Sequence, residues 1–99
     1  MRYCLILIIV FSVHRTHAES GNDLLRRCAE TNNNAQWGYC IGYISGVLET
    51  SLDICPPPKS QRAQARDVVI RYLQTHPATR HLPATDLATA ALREVWPCR

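Results

Sequence analysis

The sequence lacks the patterns that mark β structure and the motifs that mark common enzymes. No stretch alternates apolar and polar residues as a half-buried strand does, and no segment repeats at a fixed period, which argues against sheet folds and repeat folds. Neither a glycine-rich phosphate loop nor a Gly-x-Ser-x-Gly nucleophile elbow is present. Every periodic segment fits the repeat of a helix, and we expect an all-α protein that is not an enzyme.

The amino-terminal segment has the parts of a secretory signal peptide. Met1 and Arg2 place a positive charge before an uncharged, mostly apolar run over residues 3–13, which is too short to span a bilayer. Thr16 and Ala18 are the small residues that signal peptidase prefers, so we expect cleavage after Ala18 and export from the bacterial cytoplasm. The basic residues just before that position leave open an uncleaved membrane anchor.

This interpretation divides the chain into a signal peptide, residues 1–18, and one mature domain, residues 19–99. The mature domain has 81 residues, and its nine basic and eight acidic side chains give a formal charge of +1. So small a charge argues against nucleic acid or a membrane surface as a partner. A domain of this size is near the lower limit for one unaided hydrophobic core, and we therefore expect covalent cross-links.

The cysteines provide those cross-links. Cys4 is removed with the leader, which leaves Cys28, Cys40, Cys55 and Cys98. An even number in an oxidising compartment predicts two disulfides. If short loops join antiparallel helices, Cys28 and Cys40 lie near one pole of the domain and the other two near the opposite pole. We predict the pairs Cys28–Cys40 and Cys55–Cys98, each contributing about 3 to 4 kcal/mol.

A zinc site is the alternative use of these cysteines, since His76 and His81 have a separation found in zinc fingers. No Cys-x-x-Cys pair accompanies them, and exported thiols oxidise, so we expect no metal and no other cofactor. His76 is then expected to cap a helix, and His81 to be an exposed loop residue. A pH-sensing role is the other possibility for this pair.

Four helices account for the mature chain, and we expect them to form a small disulfide-stapled four-helix bundle. The first begins at Ser20, where Ser20 and Asp23 form a capping box, and ends at Ala29. The second runs from an N-cap at Asn34 to Ile54, the third from an N-cap at Ser60 to His76–Pro77, and the fourth over residues 84–95 with Val95 on its buried face.

The second helix has apolar side chains on nearly every side, so nearly every side must be buried against another part of the protein or a partner. One apolar stripe carries Trp37, Ile41, Ile44, Leu48, Leu52 and Cys55, and the opposite side carries Tyr39, Tyr43, Val47 and Ile54. Gly38, Gly42 and Gly46 form a separate line, where missing side chains let another backbone approach. Tyr39 and Tyr43 are suited to an interface. This line indicates either close packing within the chain or the contact of a homodimer.

Glu49 and Asp53 are four residues apart on the predicted second helix. Such a spacing could bring an acid and a base together, but a solvated or partner-facing acidic stripe is the simpler interpretation. The loop after the third helix carries Arg80 and His81 next to His76. We take these five residues as candidates for binding a partner.

An ordered set of short motifs resembles the Rap/Tai immunity protein family. The set consists of Cys-Ile-Gly-Tyr-Ile-Ser-Gly at residues 40–46, Cys55-Pro56, Tyr72-Leu73 with His76-Pro77, Ala91-Leu92, and the terminal Trp96-Pro97-Cys98. The resemblance covers the mature chain from Leu24 to Cys98. This sequence departs from the family in having Pro57 and Pro58 where one proline is usual, and in a short third loop.

The resemblance implies a periplasmic four-helix protein, often dimeric, that binds and blocks a peptidoglycan amidase delivered by type VI secretion. It implies an inhibitor without catalysis, with the loop of Arg80 and His81 as the candidate inhibitory element. Two other functions are compatible with the same residues. One is an acid-stress periplasmic chaperone whose dimer opens at low pH, and the other is a periplasmic binding protein with a different target.

Overall fold

The computed structural model describes residues 19–30 and 32–99. The predicted leader, its cleavage after Ala18, the alternative of a membrane anchor and Cys4 all lie outside these residues. Within the described ranges, no helix is both long enough and apolar enough to cross a membrane.

Four α-helices and no β-strand make up the described part of the chain, which confirms the all-α prediction. They are α1 (Gly21–Ala29), α2 (Asn34–Thr50), α3 (Arg62–Thr75) and α4 (Ala84–Val95), and a short 3₁₀ helix (Pro77–Thr79) precedes α4. The predicted bounds of α4 are confirmed. So is the capping box of α1, in which the Asp23 N–H donates to the Ser20 hydroxyl at 3.2 Å and the Ser20 N–H donates to the Asp23 carboxylate at 3.3 Å.

The predicted end of α2 is wrong. The helix stops at Thr50 because the chain turns there to meet the carboxyl terminus. Ile54 forms an isolated bridge with Pro97, and the Cys55 N–H donates to the Trp96 carbonyl at 2.8 Å. Leu52, predicted to lie on a covered stripe of the helix, is consequently 97% exposed, and Cys55 of the same stripe is exposed as well.

Two predicted N-caps are displaced by one residue. Asn33 rather than Asn34 caps α2, because the Asn33 side chain accepts hydrogen bonds from two N–H groups of the first turn. Gln61 rather than Ser60 caps α3, and its N–H donates to the side chain of Gln64 at 2.7 Å. The Ser60 hydroxyl instead donates to the Pro57 carbonyl at 2.7 Å and closes a turn of the proline segment.

The core draws on all four helices and on the segment after α2. Its buried residues are Leu24, Cys28, Cys40, Ile44, Val47, Ile54, Ala65, Val69, Leu73, Ala84, Leu87, Ala88, Ala91 and Leu92. Val95, predicted to be buried, is 51% exposed, and Leu92 is the large buried side chain of the last turns of α4. The alanines of α4 allow it to pack closely on its neighbours.

The predicted disulfides, Cys28–Cys40 and Cys55–Cys98, are confirmed. The premise of strictly alternating helices is nevertheless wrong, because α1 lies antiparallel to α3. The first turn of α1 meets the segment that precedes α4, where the Gly21 N–H donates to the Leu82 carbonyl at 3.0 Å. The last turn of α1 meets the first half of α3, where Arg66 Nη2 donates to the Cys28 carbonyl at 2.6 Å.

Candidate partner-binding surfaces

The segment between α3 and α4 is exposed, yet it is anchored at both ends. His76 ends α3 as predicted, with Nδ1 2.7 Å from the Tyr72 carbonyl oxygen and its ring stacked on that of Tyr72 at a centroid distance of 3.9 Å. At the other end, the Ala84 N–H donates to the Glu19 carbonyl at 2.7 Å. His81 is exposed between these anchors. The segment is therefore ordered before any partner arrives.

Arg80 is half-buried and forms part of the support of this segment. Its carbonyl accepts from the Asn22 N–H at 2.8 Å, and its Nε is buried with no hydrogen-bond partner in the described ranges. Gly21 permits this approach, because a Cβ there would lie 2.8 Å from the Arg80 carbonyl oxygen and would overlap the Leu87 side chain. The sequence carries no local pattern that could have revealed this requirement for glycine.

Glu19 is at the centre of a charged cluster that sequence reasoning missed. One of its carboxylate oxygens accepts from Arg27 Nε at 2.6 Å, and the other accepts from the Tyr39 hydroxyl. The Arg27 guanidinium also lies over the Tyr39 ring, 4.4 Å from its centroid. Burial, together with the negative charge of Glu19, raises the pKa of the Tyr43 hydroxyl. Tyr39 thus uses its hydroxyl within the chain, while the residue as a whole remains 40% exposed.

The glycine line of α2 is uncovered within the described part of the chain. No other part of the described chain would lie within 4 Å of a Cβ placed on Gly38, Gly42 or Gly46. Close packing against another described part of the chain, one of the two explanations of this line, is therefore wrong for these residues. The open strip lies between Tyr39 on one side and Trp37, which is 37% exposed, on the other. Contact with a second copy stays a prediction.

Glu49 and Asp53 do not form the predicted acidic stripe. Asp53 lies beyond the end of α2, and the two acids bind different helices. Glu49 is 3.6 Å from Arg62 of α3, whereas Asp53 is 2.7 Å from Arg93 of α4. The hydrogen bond from Arg93 holds the pKa of Asp53 below its usual range. Both acids serve as links between elements.

A groove of about 600 Å³ lies between α3 and α4. Its residues are Asp67, Val68, Arg71, Tyr72, Thr75 and His76 of α3 and Ala91, Glu94 and Val95 of α4. Of the residues predicted to bind a partner, only His76 lines it. The groove was missed because it exists only where two helices meet, and no pattern within one helix signals it.

These features define a small cross-linked helical domain with preformed contact surfaces. Among residues 19–30 and 32–99, no group of three or more His, Cys, Asp or Glu side chains could hold a metal ion, and all four cysteines form disulfides. Such a rigid surface suits a protein that acts by binding.

The family model of the Rap1a immunity proteins matches residues 20–98, and the chain belongs to this family. The match confirms the predicted immunity protein family. Membership implies a cognate secreted effector as partner, and proteins of this family are generally not enzymes. No curated protein and no solved structure matches the chain.

Proposed function

We propose that this protein is a periplasmic immunity protein that inhibits a peptidoglycan amidase delivered by type VI secretion. The observation that carries the proposal is the family match over residues 20–98. The signal peptide expected at residues 1–18 supports the periplasm, the compartment in which peptidoglycan is exposed and disulfides persist. The amidase is the effector class implied by the motif set from Cys40 to Cys98.

The loop between α3 and α4 is the proposed inhibitory element. Its backbone is fixed by the hydrogen bonds of Leu82, Arg80 and Ala84 to the start of α1 and to Glu19, so little conformational entropy is lost when it enters an active-site cleft. His81 is exposed, and Leu82 is 40% exposed, so both can contact the enzyme. Arg80 is half-buried and holds the preceding part of the loop against α1 through its carbonyl.

The direct test is expression of a type VI peptidoglycan amidase in the periplasm with and without this protein. We expect the full chain to prevent lysis. A chain that lacks residues 2–18 should fail, because it stays in the cytoplasm while the amidase and its peptidoglycan substrate are in the periplasm. Equal lysis with and without the full chain would refute the amidase proposal. Suppression of client aggregation at acidic pH, without amidase binding, would favour the chaperone alternative instead.

The loop has its own test. His81→Ala and Leu82→Ala should weaken binding of the amidase by about tenfold or more, as expected when contact residues near the centre of an interface are truncated. Thr79→Ala, in the preceding 3₁₀ helix, is the matched control. Equal affinities for all three variants and the wild type would exclude the loop.

We also propose that the glycine line of α2 is the contact of a homodimer. Three glycines in a 17-residue helix cost about 1 kcal/mol each relative to alanine, and no described part of the chain uses the space they leave. A neighbouring backbone could use it, with Trp37 and Tyr39 at its edges.

The test of the dimer is Gly42→Leu, with Gln74→Leu on the exposed surface of α3 as a control that adds the same side chain. In sedimentation experiments we expect a dimer for the wild type and the control, and a monomer for Gly42→Leu. At a concentration low enough for both proteins to be monomeric, Gly42→Leu should not lower the melting temperature, because a Cβ at Gly42 meets nothing in the described chain. A monomeric wild type, or an unchanged mass for Gly42→Leu, would refute this contact.

A further inference from the structure

The groove between α3 and α4 exposes apolar side chains that the core leaves uncovered. Ala91 is 1% exposed and lies deepest, Val68 and Tyr72 are half-buried, and Val95 is 51% exposed. The volume of about 600 Å³ has room for several side chains of another protein. An apolar concavity with a polar rim is typical of a contact surface.

The rim carries two charges of opposite sign that have no partner in the described chain. Five ion pairs neutralise most other charged side chains: Asp23–Arg26, Glu19–Arg27, Glu49–Arg62, Asp67–Arg66 and Asp53–Arg93. Arg71 on the α3 wall and Glu94 on the α4 wall belong to none of these pairs and are not paired with each other. Both side chains are exposed and hydrated in the free protein. A bound segment that presents an acid to Arg71 and a base to Glu94 is therefore favoured over one that does not.

Two possible occupants come from the protein itself, and both fit less well. The leader contains no acidic residue, so it has nothing to offer Arg71. A second copy related by a two-fold axis could pair Arg71 with Glu94, but two concave grooves that face each other enclose empty space instead of interdigitating. A convex segment of a different protein fills the groove without such a void.

We infer that the α3–α4 groove receives a convex apolar segment of the cognate effector, flanked by an acidic residue that faces Arg71 and a basic residue that faces Glu94. This inference rests on the proposed function and adds a second contact surface to the loop of Arg80 and His81. His76 joins the two surfaces, since it lines the groove and also begins the loop. Apolar anchors of one protein lying in the groove of another are a common mode of recognition.

The test uses the full exported chain and the peptidoglycan amidase of the lysis assay as the probe. Arg71→Glu and Glu94→Arg should each weaken binding at least about tenfold at about 50 mM salt, and less at about 500 mM, because salt screens exposed charges. Val95→Asp should weaken binding about a hundredfold at either salt concentration, since it places a charge on the apolar surface that the bound segment covers.

Matched controls carry the same charge changes outside the groove. Arg99→Glu alters the last residue, and Glu30→Arg alters the end of α1, where a basic residue suits the helix dipole. Both should keep the dissociation constant within about twofold of the wild-type value, given the small effect of surface charges outside an interface. Thermal melts of all five variants establish that they are folded.

Selective loss of binding in the three groove variants supports the inference. Unchanged affinity in those variants, while the wild type still protects cells, would overturn the groove assignment and leave the proposed function intact. Failure of the wild type to bind the amidase would overturn both. A change of oligomeric mass on Arg71→Glu, with amidase binding unaltered, would assign the groove to self-contact and so overturn the inference.

Discussion

The open face of α2 and the groove between α3 and α4 are two contact surfaces of opposite kind. Along α2 the absence of side chains at Gly38, Gly42 and Gly46 leaves a smooth strip that another backbone can approach. Between α3 and α4, in contrast, apolar side chains form a concave floor, and Arg71 and Glu94 add charge at its rim. The first surface selects for shape, and the second selects for shape and charge. A domain this small can therefore carry two contacts with different partners.

The two disulfides lie in different parts of the domain. Cys28–Cys40 joins α1 to α2, and both residues are fully buried. Cys55–Cys98 joins the segment after α2 to the tail of α4, and both residues are exposed. Removal of one cross-link at a time therefore separates the two surfaces experimentally.

The largest loss of stability is expected from Cys28→Ala with Cys40→Ala, about 5 kcal/mol of unfolding free energy. About 3 kcal/mol of this follows from loop closure over a sequence separation of 12, and the remainder from the cavities left by two buried side chains. Urea denaturation measures the change, and the self-association attributed to α2 should be lost as well. If this variant loses less unfolding free energy than Cys55→Ala with Cys98→Ala, the burial of Cys28 and Cys40 contributes little to stability.

Cys55→Ala with Cys98→Ala should lower the unfolding free energy by about 4 kcal/mol. The larger sequence separation of 43 raises the entropy term, but exposed residues leave no cavity. Binding to the groove should weaken more than dimer formation, because this bond holds the end of α4. Mild reduction followed by thiol labelling gives an independent check, since Cys55 and Cys98 should react well before the buried pair. Simultaneous labelling of all four cysteines would contradict this order.

Substitution of the glycines of α2 is expected to change stability by a smaller amount than removal of a disulfide, and to raise it. Gly38→Ala, Gly42→Ala and Gly46→Ala should each raise the stability of the monomer by about 0.5 to 1 kcal/mol, because alanine favours a helix and its Cβ meets nothing in the described chain. Gly21→Ala is the contrasting variant, and it should be destabilising, since its Cβ would meet the Arg80 carbonyl. Thermal melts at dilute concentration measure both. A fall in stability for the α2 variants would mean that this face is covered within the monomer.

The smallest expected effect concerns pH. The pKa of Asp53 is lowered from its usual 3.8 by the hydrogen bond from Arg93, so the pair contributes stability above that usual value. This contribution is lost as the pH falls below 3.8 through the lower pKa of the folded state. On acidification through this range, the melting temperature of the wild type should therefore fall further than that of Arg93→Gln. Parallel curves for the two proteins would show that the exposed pair contributes nothing measurable.

Features that depend on neighbouring residues were predictable. The capping box follows from Ser20 and Asp23, three positions apart, and the bounds of α4 follow from the prolines at 83 and 97. His76, Arg80 and His81 share one segment because they are close in sequence. Glu49 and Asp53 were misassigned because their partners, Arg62 and Arg93, lie on other helices, Arg93 being 40 residues from Asp53.

The sequence by itself determined that this protein is helical and which family it belongs to, because helix periodicity, end signals and motif order are written along the chain. The predicted cysteine pairs are correct, but the helix arrangement from which they were predicted is not, so the structure was needed to establish them. Only the tertiary structure decided that α2 ends at Thr50, that Gly21 must be a glycine, and that α3 and α4 enclose a groove whose rim charges have no partner in the described part of the chain. Each of these depends on atoms that are distant in sequence and become neighbours only when the core forms.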